Sequence, residues 1–254
     1  MLPGDGIHAV PPDAVRVWRG FRNPNLPQPD FFDKLARVFI PAAMQMQRIY
    51  GLTAYLPTVL PAERAPGLPD EIALVFYPSQ GAYRATKEYP GGRAYSDLHS
   101  TVFCLSRSRS RFPEYCGDAV ELETPYHLLR NSADWQTSPV ELWVGARRRE
   151  VGDEQYLAEL TPFVRELQVS PREVQGAILC AEEDWLIYWQ CGQALDPRQC
   201  ETLGHLAIPQ FQRQASPIRI PPLLTDKVDR VPVQGGEFYN LQFPRIVIDD
   251  KQVT

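Results

Sequence analysis

The chain has 254 residues, 44% of them hydrophobic and 22% charged, which is ordinary for a folded protein and enough for one large core or two fused small ones. A formal net charge of −5 argues against nucleic acid as a partner, because such binders usually carry a basic face. No apolar run approaches the ~20 residues that span a bilayer, and Met1 to Asp13 lacks the basic and apolar regions of a secretory leader, so a cytoplasmic protein is expected.

In chain order, Met1 to Asp13 reads as an irregular arm and Val15 to Arg22 (VRVWRGFR) as a β-branched, aromatic strand. Asp30 is a candidate helix N-cap, followed by Phe31, Leu35, Val38, Phe39, Ala42 and Met46 at helical spacing; Pro41 predicts a kink and Gly51 the end of the helix. Leu52 to Leu60 and Glu71 to Tyr77 read as strands joined by a Pro-rich connection. A second helix is expected within Gln80 to Phe103, interrupted near Pro90. Ser106 to Arg111 (SRSRSR) reads as a basic loop and Ala119 to Tyr126 as a fourth strand.

The order then recurs. Val140 to Arg148 is a strand and Asp153 to Gln168 a helix. Gly176 to Ala181 and Trp185 to Gln190 form a hairpin, Pro197 to Gln212 a second helix, and Pro217 to Leu223 a final edge strand. VRVWRGFR at Val15 and VELWVGAR at Val140 share V-x-(V or L)-W-x-G-x-R; Leu160 matches Leu35 and Gly176 matches Gly51 at the same offset of 140 − 15 = 125. Internal repetition of this kind indicates two copies of one unit. The expected fold is α+β: two fused ferredoxin-like β-α-β-β-α-β repeats, residues 14–130 and 138–224, forming a pseudo-dimeric α+β barrel. Residues 225–254 are an extension without a counterpart, with a candidate hairpin around Gln234 to Glu237.

The element order and the duplication resemble the dimeric α+β barrel superfamily, over residues 14 to 224. Its members include antibiotic-biosynthesis monooxygenases, small polyketide cyclases, muconolactone isomerases, haem degraders and chlorite dismutase-like haem proteins. The last group is the nearest in size, but it carries its haem-ligating His in a His-Gly segment before the second hairpin. The corresponding Ser170 to Gly176 contains no His.

Strand alternation places Val15, Val17, Arg19 and Phe21 on one face and Arg16, Trp18, Gly20 and Arg22 on the other. If the aliphatic faces pack on helices, Trp18 and Trp143 become pocket walls between the two sheets, with Gly20 and Gly145 leaving room and Arg22 and Arg147 holding an anionic group. The alternative is that Trp and Gly interlock as core and both arginines reach solvent. Tyr77 and Tyr188 could supply hydroxyls or be satisfied core residues. His99 and His205, each in the second helix of its unit, are the acid/base candidates. His127 and His8 are weaker ones.

The five cysteines, an odd number without a C-x-x-C, read as reduced structural thiols, and no metal-ligand spacing occurs. Nucleotide-binding and hydrolase motifs are missing too. The functional expectation is a cofactor-independent enzyme of small-molecule metabolism acting by acid/base chemistry on an aromatic or polyketide-like substrate, of cyclase, isomerase or monooxygenase type. It needs a small-molecule ligand, no metal and no membrane, and is compatible with a homo-oligomer. A non-catalytic ligand- or partner-binding module is the first alternative, and a haem-binding protein the second.

Overall fold

A computed structural model describes residues 14–48, 51–61, 63–135, 138–169, 171, 173–215 and 218–219. The first unit runs β1 (Val15–Gly20), α1 (Gln28–Lys34), a π-helical turn (Leu35–Phe39), α2 (Ile40–Arg48), β2 (Ala54–Val59), β3 (Glu71–Phe76), α3 (Gln80–Thr86), α4 (Pro90–Val102) and β4 (Arg109–Arg111). Two short strands follow, β5 (Glu114–Tyr115) and β6 (Pro125–His127). The second unit runs β7 (Val140–Arg147), α5 (Asp153–Val169), β8 (Gly176–Ala181), β9 (Trp185–Cys191), α6 (Pro197–Leu206) and β10 (Ala207–Ala215), and β11 (Ile218–Arg219) closes the described chain.

One sheet is ordered β11-β2-β3-β1-β4 and the other β10-β7-β9-β8-β6-β5. Counted within each unit, both contain the antiparallel order fourth-first-third-second, so the fold is two ferredoxin-like units of the dimeric α+β barrel type. The arm to Asp13, His8, the Gln234 to Glu237 hairpin and the 225–254 extension lie outside the described residues.

Several local expectations are corrected. The fourth strand of the first sheet is Arg109–Arg111, inside the segment read as a loop, with Ser110 opposite Trp18 on β1. It is an edge strand with exposed arginines, so it needs no apolar alternation to be stable. Pro125–His127, read as the end of that fourth strand, instead pairs with β8 in the other sheet. The helix expected to reach Gln212 stops at Leu206, and Ala207–Ala215 extend along β7 as the fourth strand of unit 2. Pro209, which cannot donate to the ladder, sits where the pairing register shifts. Only Ile218 and Arg219 of the strand expected over Pro217 to Leu223 are described, and they pair with β2.

The helix of the first unit starts at Pro27 without a side-chain cap, and Asp30 lies in its first turn rather than at the cap. The kink expected at Pro41 takes the form of the π-helical turn just before it, in which Ile40 N–H bonds the Leu35 carbonyl. A proline ring needs the carbonyl four residues back moved aside, and the widened turn does this.

The register of the repeat also needs adjusting. Trp18 faces Ala73 and Trp143 faces Tyr188, while Pro57 faces Ala73 and Leu179 faces Tyr188. The offset is 143 − 18 = 125 on the first strand, 179 − 57 = 122 on the second and 188 − 73 = 115 on the third. The match therefore does not run without a gap to the glycines. Gly51 has a φ of +99° after α2, whereas Gly176 opens strand β8.

The two sheets pack face to face. The seam holds Val15, Val17, Leu56, Ile72, Leu74 and Phe76 from one sheet and Val140, Leu142, Val144, Ile178, Ile187 and Trp189 from the other. Trp18 packs instead with Phe31, Leu35, Phe39 and Phe103 beneath the first unit's helices, and Trp143 with Tyr156, Leu160 and Phe163 beneath the second's. The expected face assignment is thus inverted. Mostly aliphatic side chains complete this interface by burial, whereas the polar groups on the other faces need hydrogen bonds or water.

A buried charge also lies on the seam-facing side of β1. Arg19, only 1% exposed, donates to Glu182 and, at 3.0 Å, to Cys180 Sγ, tying β1 of one unit to β8 and its following turn in the other. Among the described residues, no helix is long and apolar enough to cross a membrane.

Removing one partner of a buried ion pair strands the other charge. Glu182→Ala should therefore destabilise the protein by about 3–5 kcal/mol in urea unfolding, and Arg19→Met combined with Glu182→Leu should recover most of that loss. A single-variant cost below about 1 kcal/mol would show that the pair does not hold the seam.

Candidate functional site

A cavity of ≈ 210 Å³ opens between the first sheet and its helices. Its floor is the helix-facing side of β1, β2 and β3, carrying Arg16, Trp18, Tyr55 and Val75, with Tyr77 just beyond β3. Its roof is Phe39 and Ala43 from the first helix, Tyr83 from α3, and Tyr95 and His99 from α4. Alternation along the strands and the i, i+4 spacing of Tyr95 and His99 aim these side chains at one volume. The π-helical turn ends at Phe39, whose ring meets His99 at 4.7 Å and Tyr95 at 5.5 Å.

Behind the floor lies Glu71, fully buried. Trp18 Nε1–H donates to its Oε2 at 3.1 Å, and the Tyr55 hydroxyl donates to its Oε1. Burial pushes the carboxyl up to about 7, although both hydrogen bonds oppose the shift. The indole can only donate, so it holds Oε2 as an acceptor and leaves Oε1 as the oxygen that gains or loses a proton. That oxygen faces Tyr55, and Tyr55 lines the cavity. A buried carboxyl poised near neutrality is thus connected to the cavity through one phenol. Burial, reinforced by the Glu71 charge, pushes the Tyr55 hydroxyl well above its ordinary value, so Tyr55 can pass a proton on only by taking another.

His99 Nδ1 lies 3.0 Å from the Tyr95 carbonyl. A carbonyl only accepts, so the proton is on Nδ1 and Nε2 carries the lone pair. Burial lowers the imidazole to about 4, with the nearby Arg16 charge adding to the effect, so His99 is neutral at pH 7. Its ring also packs edge-on against Trp18 at 5.2 Å.

Of the residues singled out from sequence, Trp18, Tyr77 and His99 come together at this cavity. The others do not join them. Arg22 sits at the end of β1 beside Asp70 and donates to the Leu26 carbonyl. Arg147 bonds Asp153 at 2.7 Å and stacks on Tyr156 at 4.4 Å, a structural tie at the start of α5. His205 is exposed on α6, 3.9 Å from Glu201. Trp143 and Tyr188 are core, and the Tyr188 hydroxyl donates to Gln190 at 2.8 Å. The reading missed Glu71, Tyr55 and Arg16. A signal for Glu71 was present: an acidic residue on the same alternate face as Ala73, Val75 and Tyr77, across from Gly20.

Gly20 and Gly145 do what was expected of them beside each tryptophan. A Cβ at Gly20 would stand 2.6 Å from Trp18 Nε1, and one at Gly145 2.3 Å from Trp143. Unit 2 keeps this device, but the space around its tryptophan is packed. Trp143, Tyr156, Leu160, Phe163, Tyr188 and Leu203 fill the sheet–helix space as one buried cluster. The residues present there do not fit a haem, since the space a macrocycle would need is occupied by side chains. Among the described residues, no group of three or more His, Cys, Asp or Glu could hold a metal ion.

No protein-family model matches the chain, and no curated protein matches it either. Solved structures similar to it include a proposed monooxygenase from Lactobacillus acidophilus, at 7% identity and a TM-score of 0.37, covering 82% of this chain and 93% of that one. An anthrone oxidase-like protein is similar at 10% identity and a TM-score of 0.37, over 83% of this chain and 94% of that one. A mutant chlorite dismutase from Candidatus Nitrospira defluvii is similar at 8% identity and a TM-score of 0.35, over 82% and 92%. Likenesses this weak say nothing about the chemistry of this chain.

The two shifted groups make opposite contributions to stability. Glu71, raised from 4.5 to about 7, binds its proton more tightly folded than unfolded, so its contribution is present below pH 4.5 and is lost as pH rises to about 7, by up to about 3 kcal/mol. His99, lowered from 6.5 to about 4, contributes above pH 6.5 and loses that contribution as pH falls to about 4. In urea unfolding at each pH, Glu71→Gln should therefore gain stability relative to wild type as pH rises from about 4.5 to about 7. His99→Gln should gain relative to wild type as pH falls from about 6.5 to about 4. Parallel profiles for the variants and wild type would contradict both assignments.

Proposed function

We propose that the first unit is the catalytic half of an enzyme that binds a small aromatic molecule in its cavity and moves a proton with its own side chains. The observation that carries this reading is Glu71, fully buried, poised near pH 7, and linked through Tyr55 to an aromatic-walled cavity. In the step we infer, the Tyr55 oxygen accepts a proton from the bound molecule as the Tyr55 hydroxyl proton passes to Oε1 of ionised Glu71. The reverse transfer returns a proton to the product. Trp18 holds the carboxylate in register throughout, and Trp18, Phe39 and Tyr95 grip the aromatic body. His99 offers its Nε2 lone pair as a second acceptor.

This chemistry suits isomerisation, cyclisation or the enolisation that precedes oxygen insertion, and a cofactor-independent member of this class is the proposed reading. In it, the second unit serves as a structural partner. One feature favours the non-catalytic alternative of a ligand-binding module: Glu71 does not itself line the cavity and is reached only through Tyr55 and Trp18.

The two readings separate on carbon-acid exchange. With 2-tetralone in D2O, followed by proton NMR, the wild type should accelerate α-deuteration by about 10²-fold or more over buffer, as expected of a positioned acid/base group. Its rate should rise as Glu71 ionises through about pH 7. Glu71→Gln and Tyr55→Phe should lose the acceleration, and His205→Ala should keep it. Binding without acceleration would favour the binding module, and acceleration retained in Glu71→Gln would remove the carboxyl from the mechanism.

A further inference from the structure

Arg16 stands in the cavity wall without an ionic partner among the described residues. Its guanidinium stacks on the Tyr83 ring at 3.7 Å, and its Nη2 reaches only the Ser110 carbonyl, at 3.5 Å. Its Nε is buried with no hydrogen-bond partner. Among the described residues no carboxylate lies within 4.0 Å of it, and Glu71 is already bonded by Trp18 and Tyr55. Lys87 also lines the cavity, with Nζ 5.5 Å from the same Tyr83 ring, and it too has no carboxylate partner among the described residues. Desolvation by burial brings the guanidinium down to about 10, and it remains charged at neutral pH.

A partly buried cation is costly to leave unpaired, and elsewhere this chain pairs such groups: Arg19 with Glu182, Arg64 with Asp70, Arg147 with Asp153. Arg16 differs in opening onto a cavity. The planar guanidinium presents paired donors that match a carboxylate.

We infer that Arg16, held flat by Tyr83 and supported by Lys87, is the anion-binding end of the cavity, so that the ligand is a planar aromatic molecule bearing a carboxylate. The inference rests on the proposed aromatic cavity and names the substituent that cavity selects. The carboxylate would accept from the Arg16 donors that now lack partners, while the ring lies among Trp18, Phe39 and Tyr95. Arg16 is then a specificity-determining residue, distinct from the Tyr55–Glu71 pair that handles the proton.

The test compares 2-naphthoate with its neutral isostere 2-naphthamide by isothermal titration calorimetry on the full chain at pH 7.5. Wild type should bind the carboxylate about tenfold or more tightly than the amide, since a charge-assisted, bidentate contact is lost in the amide. Arg16→Gln should abolish that preference while amide binding persists, and Arg16→Lys should keep part of it. Equal binding of the two ligands by wild type would overturn the anion subsite and leave the aromatic cavity standing, and this comparison needs no variant to fold. A preference that survives in Arg16→Gln would also overturn it. Failure of wild type to bind either ligand would overturn the subsite together with the aromatic cavity.

Discussion

The rest of the structure depends on the apolar seam between the sheets. Val15, Val17, Leu74 and Phe76 meet Val140, Leu142, Val144 and Ile187 across it, and apolar side chains of this size satisfy the gap between two sheets by burial alone. Once these alternate positions are committed, every intervening residue of β1, β2 and β3 must face the helices. Arg16, Trp18, Tyr55, Glu71 and Tyr77 are therefore gathered on one surface by the side-chain alternation of a strand rather than by any attraction among themselves. The contrast between Arg19 and Arg16 follows from the same rule. A charge on the seam face, Arg19, has to carry its own counterion in Glu182, whereas a charge on the helix face, Arg16, opens onto a cavity.

Duplication supplies two such helix faces, and substitution decides which of them is hollow. The residue across from the repeated tryptophan is Ala73 in the first unit and Tyr188 in the second. The residue across from the repeated glycine is Glu71 in the first and Leu186 in the second. A phenol and an isobutyl group in unit 2 occupy positions held by a methyl and a carboxylate in unit 1, so one half gains a filled core and the other a poised acid beneath a cavity. The filled half loses nothing by this: Tyr188 finds Gln190, and its ring packs on Phe163 at 5.3 Å. These few exchanges are enough to make the two halves differ beneath their helices.

Much of the architecture was legible because it was written twice. VRVWRGFR and VELWVGAR announced two units, and the apolar spacing of Tyr156, Leu160, Phe163, Val164 and Leu167 marked a helix that buries that face. What escaped was what local patterns cannot encode. Arg109–Arg111 is a strand only because β1 offers it an edge, and Ala207–Ala215 only because β7 does. The sheet faces were assigned the wrong way round because a strand's alternation tells which residues share a side but not which layer covers that side. Trp18 and His99 were found by residue type, and Tyr77 with them. Glu71 was passed over because an acid opening a strand resembles a solvated strand end until Trp18 and Tyr55 are seen to meet it.

The central claim is that a single carboxyl group, enclosed by an indole and a phenol in the first unit, titrates near neutrality. Carbon-13 NMR of protein labelled at glutamate carboxyl carbons reads this directly. One resonance should titrate with a midpoint of about 7 and vanish in Glu71→Gln, apart from the bulk of glutamates titrating in their usual range. If the resonance that vanishes in Glu71→Gln instead titrates with the others near the ordinary glutamate value, Glu71 is neither buried nor poised as described, and the acid/base role built on it fails.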